Sequence, residues 1–215
     1  MNFILILVSI LIHSEYVKSI ELNKENAKSL CQIAPESSVM SCLYKNIDSI
    51  KENFLEAFDE NELKKIVSLD LRQNQIKSIE EYSFNKLINL NSLYLPNNQL
   101  EILKPYTFAN LTKLEILYLG VNRIKSIEKD AFYGLTNLKN LNIYYNKLTE
   151  INCFSFENLV NLRTLYLSSN AIETISNDSF RSLTNLKELY IVSNKIKEIK
   201  PFTFSSLINL EEMYL

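Results

Sequence analysis

The sequence predicts an α/β solenoid, a stack of near-identical coils with a parallel β-sheet along one wall. Three observations predict it. Asn74, Asn98, Asn122, Asn146, Asn170 and Asn194 recur every 24 residues without a slip. Around each Asn the same apolar frame returns, as in Leu114-Leu117-Leu119-Asn122-Ile124-Ile127-Phe132-Leu135, after which Leu138 opens the next copy. Glycine is nearly absent (Gly120 and Gly134), so turns must be made by Asn, Asp, Ser and Pro. A fixed period of this length marks a stacked array in which each unit buries its apolar face only against its neighbours.

The chain opens with an apolar run from Phe3 to Ile12, too short to span a bilayer. Val17-Lys18-Ser19 then supplies a cleavage point, and residues 1–19 read as a secretory signal peptide cut before Ile20. Ile20–Leu30 is polar, with helical leanings and little to pack. Residues 37–65 read as a worn copy in which Met40, Cys42, Ile47, Ile50, Leu55 and Phe58 fall at core positions four, six, eleven, fourteen, nineteen and twenty-two. The helical spacing of Ile47, Ile50, Phe54 and Phe58 is an equally fair local reading. Five extra residues then delay the next copy until Ile66. Residues 20–65 are therefore expected to form the amino-terminal cap that shields the first core layer from water.

Six regular copies follow, starting at Ile66, Leu90, Leu114, Leu138, Leu162 and Leu186, and a seventh begins at Leu210. Positions three to seven of each should alternate inward and outward as a short strand. Successive strands must pair in parallel, since each returns by a long connection. Turns and short helical pieces should occupy the opposite wall. The unequal spacing of the two walls should bend the stack into a horseshoe arc, sheet on the concave side. Position nine falls inside the coil, where Asn offers an acceptor and two donors to backbone groups of successive turns. The Phe column (Phe84, Phe108, Phe132, Phe156, Phe180, Phe204) should fill the wider convex half of each layer. The sequence stops at Leu215 as the seventh strand forms, and we expect the natural chain to continue beyond it.

The cysteines follow the compartment. In an oxidising environment Cys31 and Cys42 can close a short loop just before the repeats. Such a bridge contributes on the order of 3 kcal/mol by restricting the unfolded chain. Cys153, at surface-type position sixteen, is then left unpaired, either as neutral drift or for an intermolecular disulfide.

Chemistry has little to stand on. The sole histidine, His13, lies in the signal peptide, so the mature chain lacks the commonest general base and metal ligand. There is no Gly-rich phosphate loop, no C-x-x-C pair and no G-x-S-x-G elbow. No enzyme, cofactor or metal site is expected. The net charge of −2 gives no support for a nucleic-acid or anionic-membrane binder, and no later run is long and apolar enough for a membrane span.

Binding has better support. Position five runs Asp70, Tyr94, Tyr118, Asn142, Tyr166, Tyr190, Tyr214, and position two runs Val67, Asn91, Glu115, Lys139, Arg163, Lys187, Glu211. Tyrosine gives rigid amphipathic contact area and is enriched at interfaces; it is also favoured by strands and packs on its neighbours there. Both readings stay open. As a ligand face, Tyr94, Tyr118, Lys139, Arg163, Tyr166, Lys187 and Tyr190 are the candidate contacts. Glu115, Glu188, Glu211 and Glu212 surround the three cations, so the patch is no simple anion trap. Two sequons, Asn110-Leu111-Thr112 and Asn177-Asp178-Ser179, lie away from the strands. Glycans there would leave the inner sheet free.

The copies, such as LTNLKNLNIYYNKLTEINCFSFENLVN (Leu135–Asn161), resemble the typical extracellular class of leucine-rich-repeat proteins. Toll-like ectodomains, Slit, chaoptin and secreted insect leucine-rich immune proteins share the pattern. The resemblance covers residues 37–215 and departs from the family in lacking a carboxy-terminal cysteine cap and a signalling domain. It implies a leucine-rich-repeat solenoid and a non-catalytic protein-binding module with a concave contact face. We expect a secreted recognition protein, in innate immunity or other extracellular binding, whose partner is an extracellular protein or a carbohydrate-bearing surface. The alternative is the outer part of a membrane receptor or adhesion protein, held at the cell surface by an anchor beyond Leu215.

Overall fold

The computed structural model describes residues 20–34 and 37–215; the signal peptide expected over residues 1–19 lies outside the described residues. The cap begins with β1 (Ile20–Leu22), α1 (Ala27–Leu30), β2 (Gln32–Ile33), β3 (Val39–Ser41) and β4 (Ile47–Ile50). A 3-10 turn over Phe54–Ala57 and α2 (Glu60–Leu63) complete it. Each of the next five coils then gives a three-residue strand on one wall and a two-residue strand on the other. These are β5 (Ser68–Asp70) and β6 (Ser78–Ile79), β7 (Ser92–Tyr94) and β8 (Ile102–Leu103), β9 (Ile116–Tyr118) and β10 (Ser126–Ile127). Next come β11 (Asn140–Asn142) and β12 (Glu150–Ile151), then β13 (Thr164–Tyr166) and β14 (Thr174–Ile175). The last two strands are β15 (Glu188–Tyr190) and β16 (Glu212–Tyr214).

The result is a parallel-strand solenoid. One nine-stranded sheet runs β2-β3-β5-β7-β9-β11-β13-β15-β16, parallel throughout except where β2 folds back on β3. Its register is the sequence period itself: Leu69, Leu93, Leu117, Leu141, Leu165, Leu189 and Met213 align strand to strand. The strands cover positions three to five rather than three to seven. Positions four and six still point inward, and Leu69 to Leu189 and Leu71 to Ile191 are buried.

The opposite wall corrects one expectation. Between Ile66 and Leu215 it carries no helical pieces, only turns and the short strands, which pair as β6 with β4 of the cap, β8 with β10 and β12 with β14. Phe rings fill the space behind them. They stack as Phe84–Phe108–Phe132 and Phe156–Phe180–Phe204, with centroids 5.6–6.3 Å apart.

Each Asn of position nine ties two coils together. Asn146 Nδ2 donates to the Leu119 and Ile143 carbonyls at 3.0 and 3.1 Å, while its Oδ1 accepts from Ile124 N–H at 2.9 Å. Asn98, Asn122, Asn170 and Asn194 repeat this pattern. Asn74 reaches back to the Cys42 carbonyl of the worn copy. Among the described residues no buried side-chain nitrogen or oxygen lacks a partner.

The cap differs from its expected form in three places. Ile20–Leu30 does pack: β1 pairs with β4, and Leu22 and Ala27 are fully buried. The stretch from Ile47 to Phe58 is a solenoid coil rather than a continuous helix, and Phe54, not Leu55, takes the ring position, edge-on to Phe84 at 6.1 Å. Ile50 aligns with Ile79, so this coil is one residue shorter before its ring. The insertion before Ile66 holds most of α2, whose start is a capping box: Asp59 accepts from Asn61 N–H, and Glu62 accepts from Asp59 N–H. Cys31 and Cys42 are joined by a disulfide that pins α1 to the first strand layer. Cys153 is a free, half-buried thiol.

Candidate functional site

The exposed surface of the nine-stranded sheet is built by strand alternation. Position four goes into the core, so positions three and five face out. Alternation thus sets the tyrosines of position five on the outer face of the sheet, and the cations of position two stand just ahead of the strands, in a second line. Tyr94, Tyr118, Tyr166 and Tyr190 form the position-five line, each half-buried. Lys139, Arg163 and Lys187 form the position-two line, three residues earlier in each coil, about 10 Å along the strand.

The tyrosine line is a stack with breaks. Tyr166, Tyr190 and Tyr214 lie nearly parallel, with centroids 4.6 and 4.8 Å apart. Tyr94 and Tyr118 meet edge to face at 5.5 Å. Asp70 and Asn142 interrupt the line. At the first break Arg72 forms a two-toothed ion pair with Asp70 (2.9 and 2.7 Å), and its guanidinium lies over the Tyr94 ring at 5.6 Å. Burial works against the Asp70 carboxylate, but the Arg72 hydrogen bonds outweigh it and its pKa lies below the ordinary value. Partial burial, and then the neighbouring Glu188 carboxylate, push the Tyr190 phenol up to about 12. Tyr190 thus presents a neutral hydroxyl at physiological pH.

The cation line is largely neutralised by its neighbours one coil away. Lys139 pairs with Glu115 at 2.6 Å and Lys187 with Glu211 at 2.5 Å. The hydrogen bond from Lys139 holds the Glu115 carboxyl below its ordinary value. Among the described residues Arg163, exposed between them, has no ion-pair partner.

A second asparagine row borders this line and escaped the sequence reading. Asn137, Asn161, Asn185 and Asn209 each donate Nδ2 to a carbonyl of the preceding coil at 2.7–2.9 Å. With the cations they line a surface groove of about 610 Å³. The signal was there, since Asn recurs at position twenty-four with the same period as at position nine. The larger ladder overshadowed it.

Gly120 was missed as well. A Cβ at this position would sit 2.5 Å from the Tyr144 ring and 3.1 Å from Asn142 Oδ1. The bare backbone lets both side chains lean over it. On the opposite side of the coil Asn110 and Asn177 are exposed, while the Ser179 hydroxyl is buried and donates to the Ile151 and Ser176 carbonyls. Among the described residues no cluster of His, Cys, Asp and Glu could hold a metal, and no helix is long and apolar enough to cross a membrane.

The solenoid and its outward columns define a class, and comparison with known proteins agrees. The family described as Leucine rich repeat matches residues 64–124, 112–172 and 148–196. The chain belongs to the leucine-rich-repeat family. No curated protein matches it. Among solved structures, the crystal structure of a TLR13–ssRNA13 complex is similar to it, at 22% identity and a TM-score of 0.38. That match covers 79% of this chain and 32% of the other, so this chain spans about a third of that protein's length.

Proposed function

We propose that this protein is a secreted, non-catalytic recognition module that holds a protein partner on the face of its nine-stranded sheet, in innate immunity or a related extracellular role. One observation carries the reading. Tyr94, Tyr118, Tyr166 and Tyr190 stand in line on the outer side of the sheet, with Lys139, Arg163 and Lys187 in a second line where the strands begin, on a scaffold whose interior is closed by hydrogen bonds and apolar packing. The strands beneath fix the backbone, and stacking limits the rotamers of the tyrosines, so a partner would find them already ordered. Preorganisation of this kind lowers the entropic cost of association. The ion pairs of Lys139 and Lys187 are half-exposed and contribute little to stability, which leaves their charges free to exchange partners at an interface.

Export is supported by the apolar amino-terminal stretch and by the Cys31–Cys42 bridge, a bond that persists in oxidising compartments. Glycans on Asn110 and Asn177 would sit off the sheet face and leave it bare.

The experiment is expression of the full chain in eukaryotic cells, followed by photo-crosslinking from the sheet face to partners in extracellular fluid. Mature protein beginning at Ile20 should appear in the medium and shift in mass on deglycosylation. Tyr166→Ala with Lys187→Ala should abolish the crosslinks without lowering the melting temperature by more than a few degrees. Retention in the cytosol overturns the export reading, and an unchanged set of crosslinked partners overturns the face.

A further inference from the structure

The tyrosine line lacks one rung, and the gap has the form of a site. Tyr118, Asn142 and Tyr166 occupy the same register position on three adjacent strands. Tyr166 has one face against Tyr190 at 4.6 Å, so its other face looks across Asn142 towards Tyr118. Asn142 turns its amide away from that face. Its Oδ1 accepts from Tyr144 N–H at 3.0 Å and leans with the Tyr144 ring over Gly120, in the coil before. Tyr118 and Tyr166 are two strand spacings apart, about 9.6 Å. That is room for one further ring at the separation already seen between Tyr166, Tyr190 and Tyr214. In the same coil as Tyr166, three residues away, stands Arg163, the cation of its row without an ion-pair partner among the described residues.

We infer that the gap over Asn142 receives an aromatic side chain of the partner protein, stacked on Tyr166, with a carboxylate of the same partner segment on Arg163. The inference rests on the sheet-face reading and gives it a specific occupant. The uncovered Tyr166 face selects a flat ring, and the guanidinium selects a planar anion that it can grip at two points. The two features lie about 10 Å apart, the reach of three residues of extended chain. The occupant is therefore a protein segment with an aromatic residue and an Asp or Glu two to four positions apart. A nucleobase with its phosphate would meet the same ring and the same cation, but charge argues against it. Glu115 and Glu211 already hold Lys139 and Lys187, and Glu188 and Glu212 lie beside the stack. Backbone phosphates bind where several cations are free.

The decisive variant restores the rung. Asn142→Tyr places in the gap the residue that most other copies carry, so it should fold and melt at the same temperature as the parent or higher. The probe is a random displayed peptide library selected on the folded protein. Selected peptides should share an aromatic residue spaced two to four positions from Asp or Glu, and Asn142→Tyr should weaken them by about tenfold or more. Arg163→Gln should weaken them too, and replacing the acid in the peptide should erase that difference. Selected peptides without the aromatic residue, or with affinity unchanged by Asn142→Tyr, overturn the inference. If such peptides still lose affinity on Tyr190→Ala with Lys187→Ala, the sheet-face reading stands and only the gap is wrong. A library that yields no binder overturns both. Oligouridine that binds more tightly than any selected peptide, and is lost in Asn142→Tyr, overturns the protein occupant.

Discussion

Two columns run along this solenoid, the asparagines inside the coils and the tyrosines outside them, and they are kept under different rules. The inner column is unbroken from Asn74 to Asn194, and each member makes the same bonds to the same backbone atoms. The outer column is broken at Asp70 and Asn142, and each break is managed differently. At Asp70 a cation covers the neighbouring ring, and at Asn142 the amide turns away towards Gly120. A buried amide has no solvent to fall back on, so an inner position accepts almost nothing else. An outer position has water as an alternative partner. Variation outside is cheap, and that is where a solenoid can acquire a specific ligand.

The first way to test this contrast is to break the inner column. Asn146→Ala should cost about 1–3 kcal/mol, because it strands the Ile124 N–H that the Oδ1 now accepts. Tyr166→Ala, one strand away on the outside, should cost clearly less. Chemical denaturation of both variants gives the comparison directly. Equal losses would mean that the outer stack is as structural as the inner ladder.

The corner between the columns sharpens the same point. Position eight is left-handed in every copy, with φ between 52° and 58° at Gln73, Asn97, Val121, Tyr145, Ser169 and Ser193. The backbone there is as regular as the ladder, yet six copies use five residue types. Valine is the poorest fit, since a β-branched side chain crowds the left-handed region. Val121→Asn, copying Asn97, should stabilise the protein by about 1 kcal/mol, read as a rise in melting temperature. No rise would show that the strain is relieved by packing at this corner.

These positions also show what a sequence can reveal. Columns that demand one chemistry at one spacing are legible, which is why Asn74 to Asn194 and the leucine layers could be placed from the period, while the Cys31–Cys42 bridge followed from an oxidising compartment and a short loop. Positions where the backbone is fixed and the side chain is free leave no letter to read, as at position eight. The opposite wall was misjudged for a related reason. Two residues such as Ser126–Ile127 are too few to display a period of two against one of 3.6. In the cap the Asp59–Glu62 box was in plain view, but an inserted turn has no counterpart in the other copies. At the site, both lines of side chains were legible as columns. The gap was not, because its meaning depends on which way Asn142 turns, and Gly120 decides that from the neighbouring coil.

The smallest effect should come from removing the charge at the other break. The folded-state pKa of Asp70 lies below its unfolded value, because the Arg72 hydrogen bonds outweigh the penalty of burial. A carboxylate with a depressed pKa adds stability above its unfolded pKa of about 4 and loses it as pH falls through the folded value. Asp70→Asn should therefore melt below the parent at pH 7, and the difference should shrink as pH falls below about 4. The other carboxylates with lowered values, Glu80, Glu101, Glu115 and Glu173, titrate in both proteins and cancel in the comparison. The partner Arg72 is half-exposed and regains water when the charge opposite it is lost, so the effect should stay within a few degrees. A difference that persists unchanged at low pH would assign the role of Asp70 to its shape and not to its charge. The cation over Tyr94 would then owe its place to packing, and the outer column would be more rigid at this break than its sequence implies.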